Sequence, residues 1–546
     1  MRFPSNHQCK RAKHSPGALR AILWPVCMIV VALPLCATIV YGLIWWRPEE
    51  IFTPEVRDAA LNSIVSSLVA GLLSTCIAVV LVLFIERTDI PGRTMLRLLA
   101  LTPLLVPPFI GAIAWSGVFG PTSPVNLVWN KSFGHPLWNF YGADGVIFLL
   151  AMHGYPVAYL MVAVTLDRIP RALEQAARIS GAGTLRTLRT VTFPLILPAA
   201  LSAFLLSTVS NLADFGIPSI VGTPERYQTL ATLIYRYVQS GTVDNPLQAV
   251  SGIGLTMLLA VILVLTLVRH IPQPKLPYVA QLDESEPLHI STRWLIGFLL
   301  WAAGAGITLL PLFALLSQSL LAAPGVPLTW SNLTLDSYKE ALTNPGTLTG
   351  IVTSLMLSLG ASFICGFLGL AVGSVTARPK RRSDHLLGSM ALLPQSVPGL
   401  IIATSWLLLA PWIGLYNSPW LILAAYVTAF LGLVVQTVDA PIRAMPQFLI
   451  DAARISGASP IAVLRDIIWR MGTPAATTGA AMVFITAVRE LTISALLLAP
   501  DTQTLGVVVF SLQQSGSYNA AAALSLIITV IGLLVLRLTT TTMRGR

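Results

Sequence analysis

The sequence carries little charge. Only 10% of its 546 residues are Asp, Glu, Lys or Arg, whereas 55% are hydrophobic. A soluble domain has about 25% charged residues, because water must solvate its whole surface. The shortage excludes a soluble enzyme and an intrinsically disordered chain. It also argues against a nucleic-acid partner, although the formal net charge is +11. The remaining class is a polytopic protein of the lipid bilayer.

Patterns that hold metals or nucleotides are missing as well. The five cysteines form no C-x-x-C pair and no cluster with histidine, so we predict neither disulfides nor a metal site. No G-x-x-x-x-G-K-[S/T] loop occurs, so the chain has no phosphate-binding loop of its own. We therefore expect no catalytic residue and no bound cofactor in this chain.

Long apolar stretches are what the chain has instead. A bilayer-spanning helix needs about 20 apolar residues. Such stretches predict an all-α fold with about twelve transmembrane helices, several of them interrupted by proline, which membrane helices tolerate where neighbours satisfy the backbone. The predicted spans are 20–46, 60–85, 97–119, 145–166, 191–221, 247–268, 294–320, 348–376, 386–410, 419–438, 474–498 and 517–536.

The charges in the loops predict the orientation. The side that contains both termini carries 27 Lys or Arg and 11 Asp or Glu, whereas the opposite side carries 6 and 10. Cytoplasmic loops of membrane proteins carry such an excess of basic residues. We therefore predict that both termini are cytoplasmic, and that the basic loops reflect topology.

The chain contains an internal repeat. The heptapeptide AARISGA occurs at Ala176–Ala182 and again at Ala452–Ala458, an offset of 276, and Arg87 matches Arg378 at an offset of 291. Each half has six predicted spans, so the halves have the same orientation and form parallel six-helix repeats. The predicted divisions are a first domain at 1–268, a cytoplasmic linker at 269–293 and a second domain at 294–546.

The repeated heptapeptide lies in a basic loop between the fourth and fifth spans of each half, at 171–194 and 445–470. Alanine, leucine, glutamine and arginine favour helix, and Gly181 and Gly457 can end a helix in the left-handed conformation. We predict a short helix parallel to the membrane with a polar outer face. A simple interfacial anchor would not require two near-identical copies.

These loops resemble the EAA motif of permeases in bacterial binding-protein-dependent ABC importers. The resemblance implies an inner-membrane subunit in which each motif helix docks on a cytoplasmic ABC ATPase, present in two copies, that uses the ATP, while a periplasmic binding protein delivers substrate. The motif glutamate is replaced in both halves, and the closing proline is missing from the second. The implied ATPase-coupling residues are Glu174, Gln175, Ala176, Ala177, Gly181, Asp451, Ala452, Ala453 and Gly457.

Three charged residues fall within or beside apolar spans. Asp214 and Glu490 occupy equivalent positions, at an offset of 276, and Arg489 precedes the second of them. A charge at the bilayer centre costs about 2.5–3.5 kcal/mol on insertion scales, so these acids should avoid lipid. They line a translocation pathway, or Arg489 pairs with a carboxylate and locks two helices, and both roles can coexist. His153 is expected to be an interior packing residue.

The segments around the two acids narrow the resemblance. Ala213–Pro218 and Arg489–Phe510 look like the fused permeases of ferric-iron importers, and carboxylates suit a hard cation. Related fused permeases carry thiamine, phosphonates or polyamines, so these substrates remain alternatives. From another class, an ion-coupled secondary transporter would use the two acids as a relay. A non-transporting scaffold would explain neither the repeat nor the acids.

Overall fold

The computed structural model describes residues 17–46, 49, 53–239, 245–272, 287–379, 381–500 and 502–544. Within these ranges the regular structure is helical apart from two isolated β-bridges, so the all-α expectation is confirmed. Nine of the described helices can cross a bilayer, or eleven if each of two sharply bent pairs is one span. A further helix lies over the last predicted stretch, and the total of twelve stays a prediction.

The helices follow the predicted repeat. In the first half they are α1 (Leu19–Ile44), α2 (Pro54–Arg87), α3 (Arg93–Leu101), α4 (Pro108–Phe119), α5 (Pro124–Phe133), α6 (Ala143–Leu166), α7 (Arg171–Ile179), α8 (Phe193–Leu212), α9 (Leu230–Gln239) and α10 (Pro246–His270). In the second half they are α11 (Arg293–Ser319), α12 (Asp336–Thr343), α13 (Pro345–Thr376), α14 (Arg382–Leu392), α15 (Gly399–Ile413), α16 (Pro419–Ala444), α17 (Gln447–Ile455), α18 (Arg470–Val488), α19 (Thr492–Leu496), α20 (Leu505–Gln514) and α21 (Tyr518–Arg544).

Small residues bring the central helices of each half together. Helix α2 packs on α6 and α8, and α13 packs on α16 and α18 in the same way. A Cβ atom at Gly71 would lie 2.6 Å from the Thr208 hydroxyl, and one at Gly369 would lie 2.5 Å from the Val434 Cβ. Close packing of this kind holds membrane helices together, because lipid gives them little hydrophobic reason to associate.

The third span of each half is broken and does not form one straight helix. The predicted stretches 97–119 and 386–410 bend by 104° and 107° at the break. Val106 and Val397 have extended backbone there, with ψ of 128° and 126°, and each precedes a proline. A residue before proline is driven out of the helical region, because the proline ring clashes with its backbone. The matched Val-Pro pairs of the two halves therefore place the same bend twice.

The first helix of each half packs on the other half. Helix α1 contacts α15 as well as α10, and α11 contacts α3 and α4 as well as α21. Arg20 on α1 makes a buried bidentate ion pair with Asp384 on α14, at 2.7 and 2.8 Å. In the reciprocal position, Arg293 on α11 contacts Asp89 at 2.9 Å. The two repeats thus interlock through exchanged first helices.

Two predicted segments lie outside the described residues. They are the N-terminal tail up to residue 16, and residues 273–286, which make up most of the predicted linker. The predicted domain boundaries at 268, 269, 293 and 294 stay predictions.

Candidate functional site

Helices α7 and α17 are the two motif helices, and they end in the same way. The Ala182 N–H donates to the Ala177 carbonyl at 3.0 Å, and the Ala458 N–H donates to the Ala453 carbonyl at 2.9 Å. Gly181 between the first pair has φ of +87°, and its counterpart Gly457 has φ of +83°. This is a Schellman cap, in which the left-handed position favours glycine.

Most of the predicted coupling residues form an open surface on these two helices. Gln175, Ala176 and Gly181 are exposed and Ala177 is half-buried, and the equivalent residues repeat the pattern: Asp451, Ala452 and Gly457 are exposed and Ala453 is half-buried. A Cβ atom added at either glycine would meet no atom within 4 Å. Both loops therefore leave the space around the motif glycine open.

Glu174 is the exception among the predicted coupling residues. Its side chain is 3% exposed, and its carboxylate lies 3.3 Å from the Arg87 guanidinium. The Thr192 hydroxyl donates to the same carboxylate at 2.8 Å. Glu174 thus faces into the protein, towards α2 and the start of the fifth span, and is absent from the outer face of α7.

The outer face is less polar than predicted. Ile179 is 89% exposed and Ile455 is 87% exposed, at the same position of the two loops. Leu185 and Ile461 follow six residues later in each loop and are also exposed. The isoleucine within each copy of AARISGA was a usable signal, because an apolar residue repeated in a solvent-facing loop indicates a contact surface. The paired isoleucines are therefore the principal apolar residues that the motif helices offer to a partner.

Asp214 and Glu490 line one cavity of about 740 Å³. Its walls come from both halves, namely α6, α8 and the bend before α4 on one side, and α16, α18 and the bend before α15 on the other. Each acid follows the end of a broken span, where α8 ends at Leu212 and α18 ends at Val488. The repeat thus brings two acids that are 276 residues apart to a common cavity.

Each of these acids also caps the turn that follows it. The Asp214 carboxylate accepts the Ile217 N–H at 2.8 Å. The Glu490 carboxylate accepts the N–H groups of Ile493 at 2.8 Å and Ser494 at 3.2 Å. These bonds satisfy backbone donors that the break in the helix leaves without a carbonyl partner. The capping role was not predicted from the sequence.

Arg489 does not lock the acids together. Its guanidinium donates to the Leu104 carbonyl at 3.4 Å, and no carboxylate oxygen of the described residues lies within the 4.0 Å of an ion pair. Arg489 is also absent from the cavity wall, whereas His153 is part of that wall. The two acids therefore face the cavity without a basic partner from Arg489.

Polar side chains interrupt an otherwise mostly apolar cavity wall. Asn211, Gln395 and Thr486 contribute to it beside the two acids. Among the residues that the structure describes, no three His, Cys, Asp or Glu side chains converge as a metal site. The cavity therefore offers a few side-chain oxygen atoms on a mostly apolar wall between the halves.

Interlocked parallel repeats, paired motif helices and a cavity between the halves that two acids line define the membrane permease of an ABC importer. The family described as the inner membrane component of binding-protein-dependent transport systems matches residues 12–274 and 369–543, and the chain belongs to it. It is a multi-pass inner-membrane protein whose family works with an ATPase and a periplasmic binding protein.

Known relatives cover nearly the whole chain. The Fe(3+)-transport system permease protein FbpB 2 of Haemophilus influenzae is 21% identical and covers 92% of this chain and 94% of its own. The ferric transport system permease protein FbpB of Actinobacillus pleuropneumoniae is 22% identical and covers 94% and 76%. A solved bacterial ABC transporter involved in alginate import covers 46% of this chain and 96% of its own, with 17% identity and a TM-score of 0.37.

Proposed function

We propose that this permease imports ferric iron, released by a periplasmic binding protein, through the cavity that Asp214 and Glu490 line. The observation that carries the proposal is that both acids line one cavity between the halves. Ferric iron is a hard cation and prefers oxygen ligands, which this wall supplies as carboxylates, amides and hydroxyls. The names of the full-length relatives point to the same cargo.

The small number of these groups suits passage of a cation. A permease must release its cargo, so a site with many converging ligands would hold iron too tightly. Two carboxylates lower the electrostatic cost of a cation between the halves, because opposite charges attract strongly where water is scarce. The acids would act in turn along the path, and their capping bonds would hold them in place.

Two ATPase copies drive the cycle in this proposal. One docks on α7 and the other on α17, with Ile179 and Ile455 entering an apolar groove of each ATPase. The equal exposure of the two isoleucines supports equal docking at the two loops. This arrangement requires cytoplasmic termini, as the charge bias predicts. In this proposal the partner subunits bind and hydrolyse the ATP, and the chain itself binds no cofactor.

The decisive experiment identifies the cargo of the cognate binding protein and then follows it. The binding protein should be purified and its bound ligand determined, and uptake of radioactive Fe(III) should be measured in proteoliposomes that contain the permease and its ATPase. We expect ATP-dependent iron uptake. If the binding protein holds thiamine, a phosphonate or a polyamine, iron is excluded as the cargo, and the assignment as an ABC importer still stands. Uptake that follows an ion gradient without ATP would favour a secondary transporter.

A further inference from the structure

Arg87, the last residue of α2, holds the first motif helix. Its guanidinium donates to the carbonyls of Leu166 at 2.7 Å and Ile169 at 2.9 Å, where α6 ends. It also lies 3.3 Å from the carboxylate of Glu174 on α7. A single buried side chain therefore ties the cytoplasmic end of α2 to the end of the fourth span and to the motif helix.

Arg378 repeats this arrangement in the second half. It follows the end of α13 and donates to the carbonyls of Arg443 at 2.9 Å and Met445, where α16 ends. Its other nitrogen donates to the side-chain carbonyl of Gln447, the first residue of α17, at 3.0 Å. The halves differ in the motif-helix partner, which is the carboxylate of the fourth residue of α7 in the first half and the amide of the first residue of α17 in the second. Arg378 is also half-buried, whereas Arg87 is buried. We call Arg87 and Arg378 the clamp arginines.

The opposite ends of the same two helices hold the segments that begin at the cavity acids. The Ser63 hydroxyl of α2 accepts the N–H of Leu230, the first residue of α9, at 2.8 Å. The Ser354 hydroxyl of α13 accepts the N–H of Leu505, the first residue of α20, at 2.8 Å. Ser63 and Ser354 are buried and 291 residues apart, the same offset as the clamp arginines.

Each segment held by one of these serines begins at a cavity acid. The chain runs from Asp214 to α9 in the first half and from Glu490 to α20 in the second. The two segments also meet each other, because the rings of Phe215 and Phe510 lie 5.4 Å apart. A displacement of α2 or α13 along its axis would therefore move the segment that carries an acid.

Helices α2 and α13 are built to move as rigid bodies. They contain 34 and 32 residues, and their only prolines are at the first position. At about 1.5 Å per residue each is close to 50 Å long, well beyond a hydrocarbon core of about 30 Å. Sharp kinks need proline, a π-bulge or an inserted group, and none of the described residues of these helices departs from α-helix.

We propose that α2 and α13 are the rods that transmit ATPase movement to the cavity, with Arg87 and Arg378 as the positioning residues that attach the motif helices to them. A rigid element that contacts two distant sites can carry coupling between them, and each rod reaches a motif helix at one end and an acid-bearing segment at the other. The proposal rests on the proposed docking of ATPases at α7 and α17. It adds the route by which docking changes the membrane domain.

The test uses the whole importer in proteoliposomes, with the permease, its ATPase and the cognate binding protein as purified. The variants are Arg87→Gln with Arg378→Gln, and Ser63→Ala with Ser354→Ala. Three quantities are measured: ATPase bound per permease, basal ATP hydrolysis, and stimulation of hydrolysis by binding protein added at the outer face. Stimulation requires a signal to cross the membrane, so a purely structural residue would not alter it per assembled complex.

We expect both double variants to bind ATPase normally while stimulation falls about tenfold, within the range that loss of a coupling contact produces. Arg97→Gln is the matched control. It removes an arginine whose described ion-pair partner is Glu86, the residue before Arg87 on α2, and that ion pair does not involve a motif helix. If the arginine variant fails to fold, the serine variant carries the test.

Two results would overturn the proposal. The first is full stimulation in the serine variant, or in an assembled arginine variant, because the rods would then carry no signal. The second is loss of bound ATPase from a folded arginine variant, because the clamps would then serve docking alone. Failure of the proposed docking is distinguishable, since the Arg97→Gln control and the unaltered complex would then also lack bound ATPase.

Discussion

Replacing Gly181 and Gly457 with alanine should weaken ATPase binding through backbone strain alone. Both glycines have φ above +80°, at +87° and +83°, and an added Cβ would meet no neighbouring atom. A non-glycine residue in the left-handed region costs about 1–2 kcal/mol, because its Cβ approaches the following carbonyl oxygen. Since 1.4 kcal/mol is a factor of ten, each loop should lose about 5- to 30-fold in affinity if the cap must be native for docking.

The measurement is the affinity of the purified ATPase for each single variant in nanodiscs. Gly181→Asn is the matched control, because asparagine is enriched in the left-handed region although its side chain is larger. We expect binding to follow the order glycine, asparagine, alanine. Equal weakening by asparagine and alanine would indicate that side-chain bulk matters and would refute the argument from strain. Unchanged binding in both alanine variants would remove the caps from the docking surface.

Three further predictions follow from particular contacts. Arg20→Ala removes one partner of the buried ion pair with Asp384 and should lower the free energy of unfolding by about 3–5 kcal/mol, measured as thermal stability in detergent; a loss no larger than that of an exposed ion pair would contradict this. Burial opposes ionisation of Asp89, but bonds from the Ile290 backbone, His289 and Arg293 hold its pKa below the ordinary value. Asp89 therefore stabilises the fold above about pH 4, a contribution lost as the pH falls through the lower pKa of the folded state, and Asp89→Asn should show a smaller loss of stability on acidification. Glu490→Gln should reduce iron uptake about tenfold or more while ATPase binding is unchanged, because an amide still accepts a capping bond but does not attract a cation; undiminished uptake would exclude the pathway role.

The helical framework and the motif loops could be predicted with good accuracy because their causes are local. Apolar stretches must form helices in lipid, where every backbone group needs an internal partner. The Gly181 cap follows from the need for a left-handed residue at the end of a helix. The bends at Val106 and Val397 were signalled by the prolines that follow them, yet each stretch was predicted as one span, because composition alone does not say whether neighbours permit a break.

The direction in which a side chain points was harder to predict. Glu174 and Gln175 are adjacent in the sequence, but adjacent residues lie about 100° apart around a helix, so one is buried against Arg87 and the other is exposed. The prediction of a polar outer face missed Ile179, because the sequence did not show which residues of the motif helix face outward. The sequence match between Arg87 and Arg378 was visible, but the role of these arginines was not. Their main partners are backbone carbonyls, which every residue carries and which the sequence therefore does not identify.

The sequence alone determined the class of protein, the parallel repeat and the positions of the motif loops. Hydrophobicity, helical periodicity and repeated sequence motifs can each be recognised within short segments of the chain. Only the tertiary structure decided that the first helices are exchanged, that Asp214 and Glu490 face one cavity, and that Arg489 lies apart from both. These features depend on which helices pack together. Many apolar helices can pack in lipid, and the choice among them depends on close contacts of small residues, such as Gly71 against Thr208, between parts of the chain that are far apart in sequence.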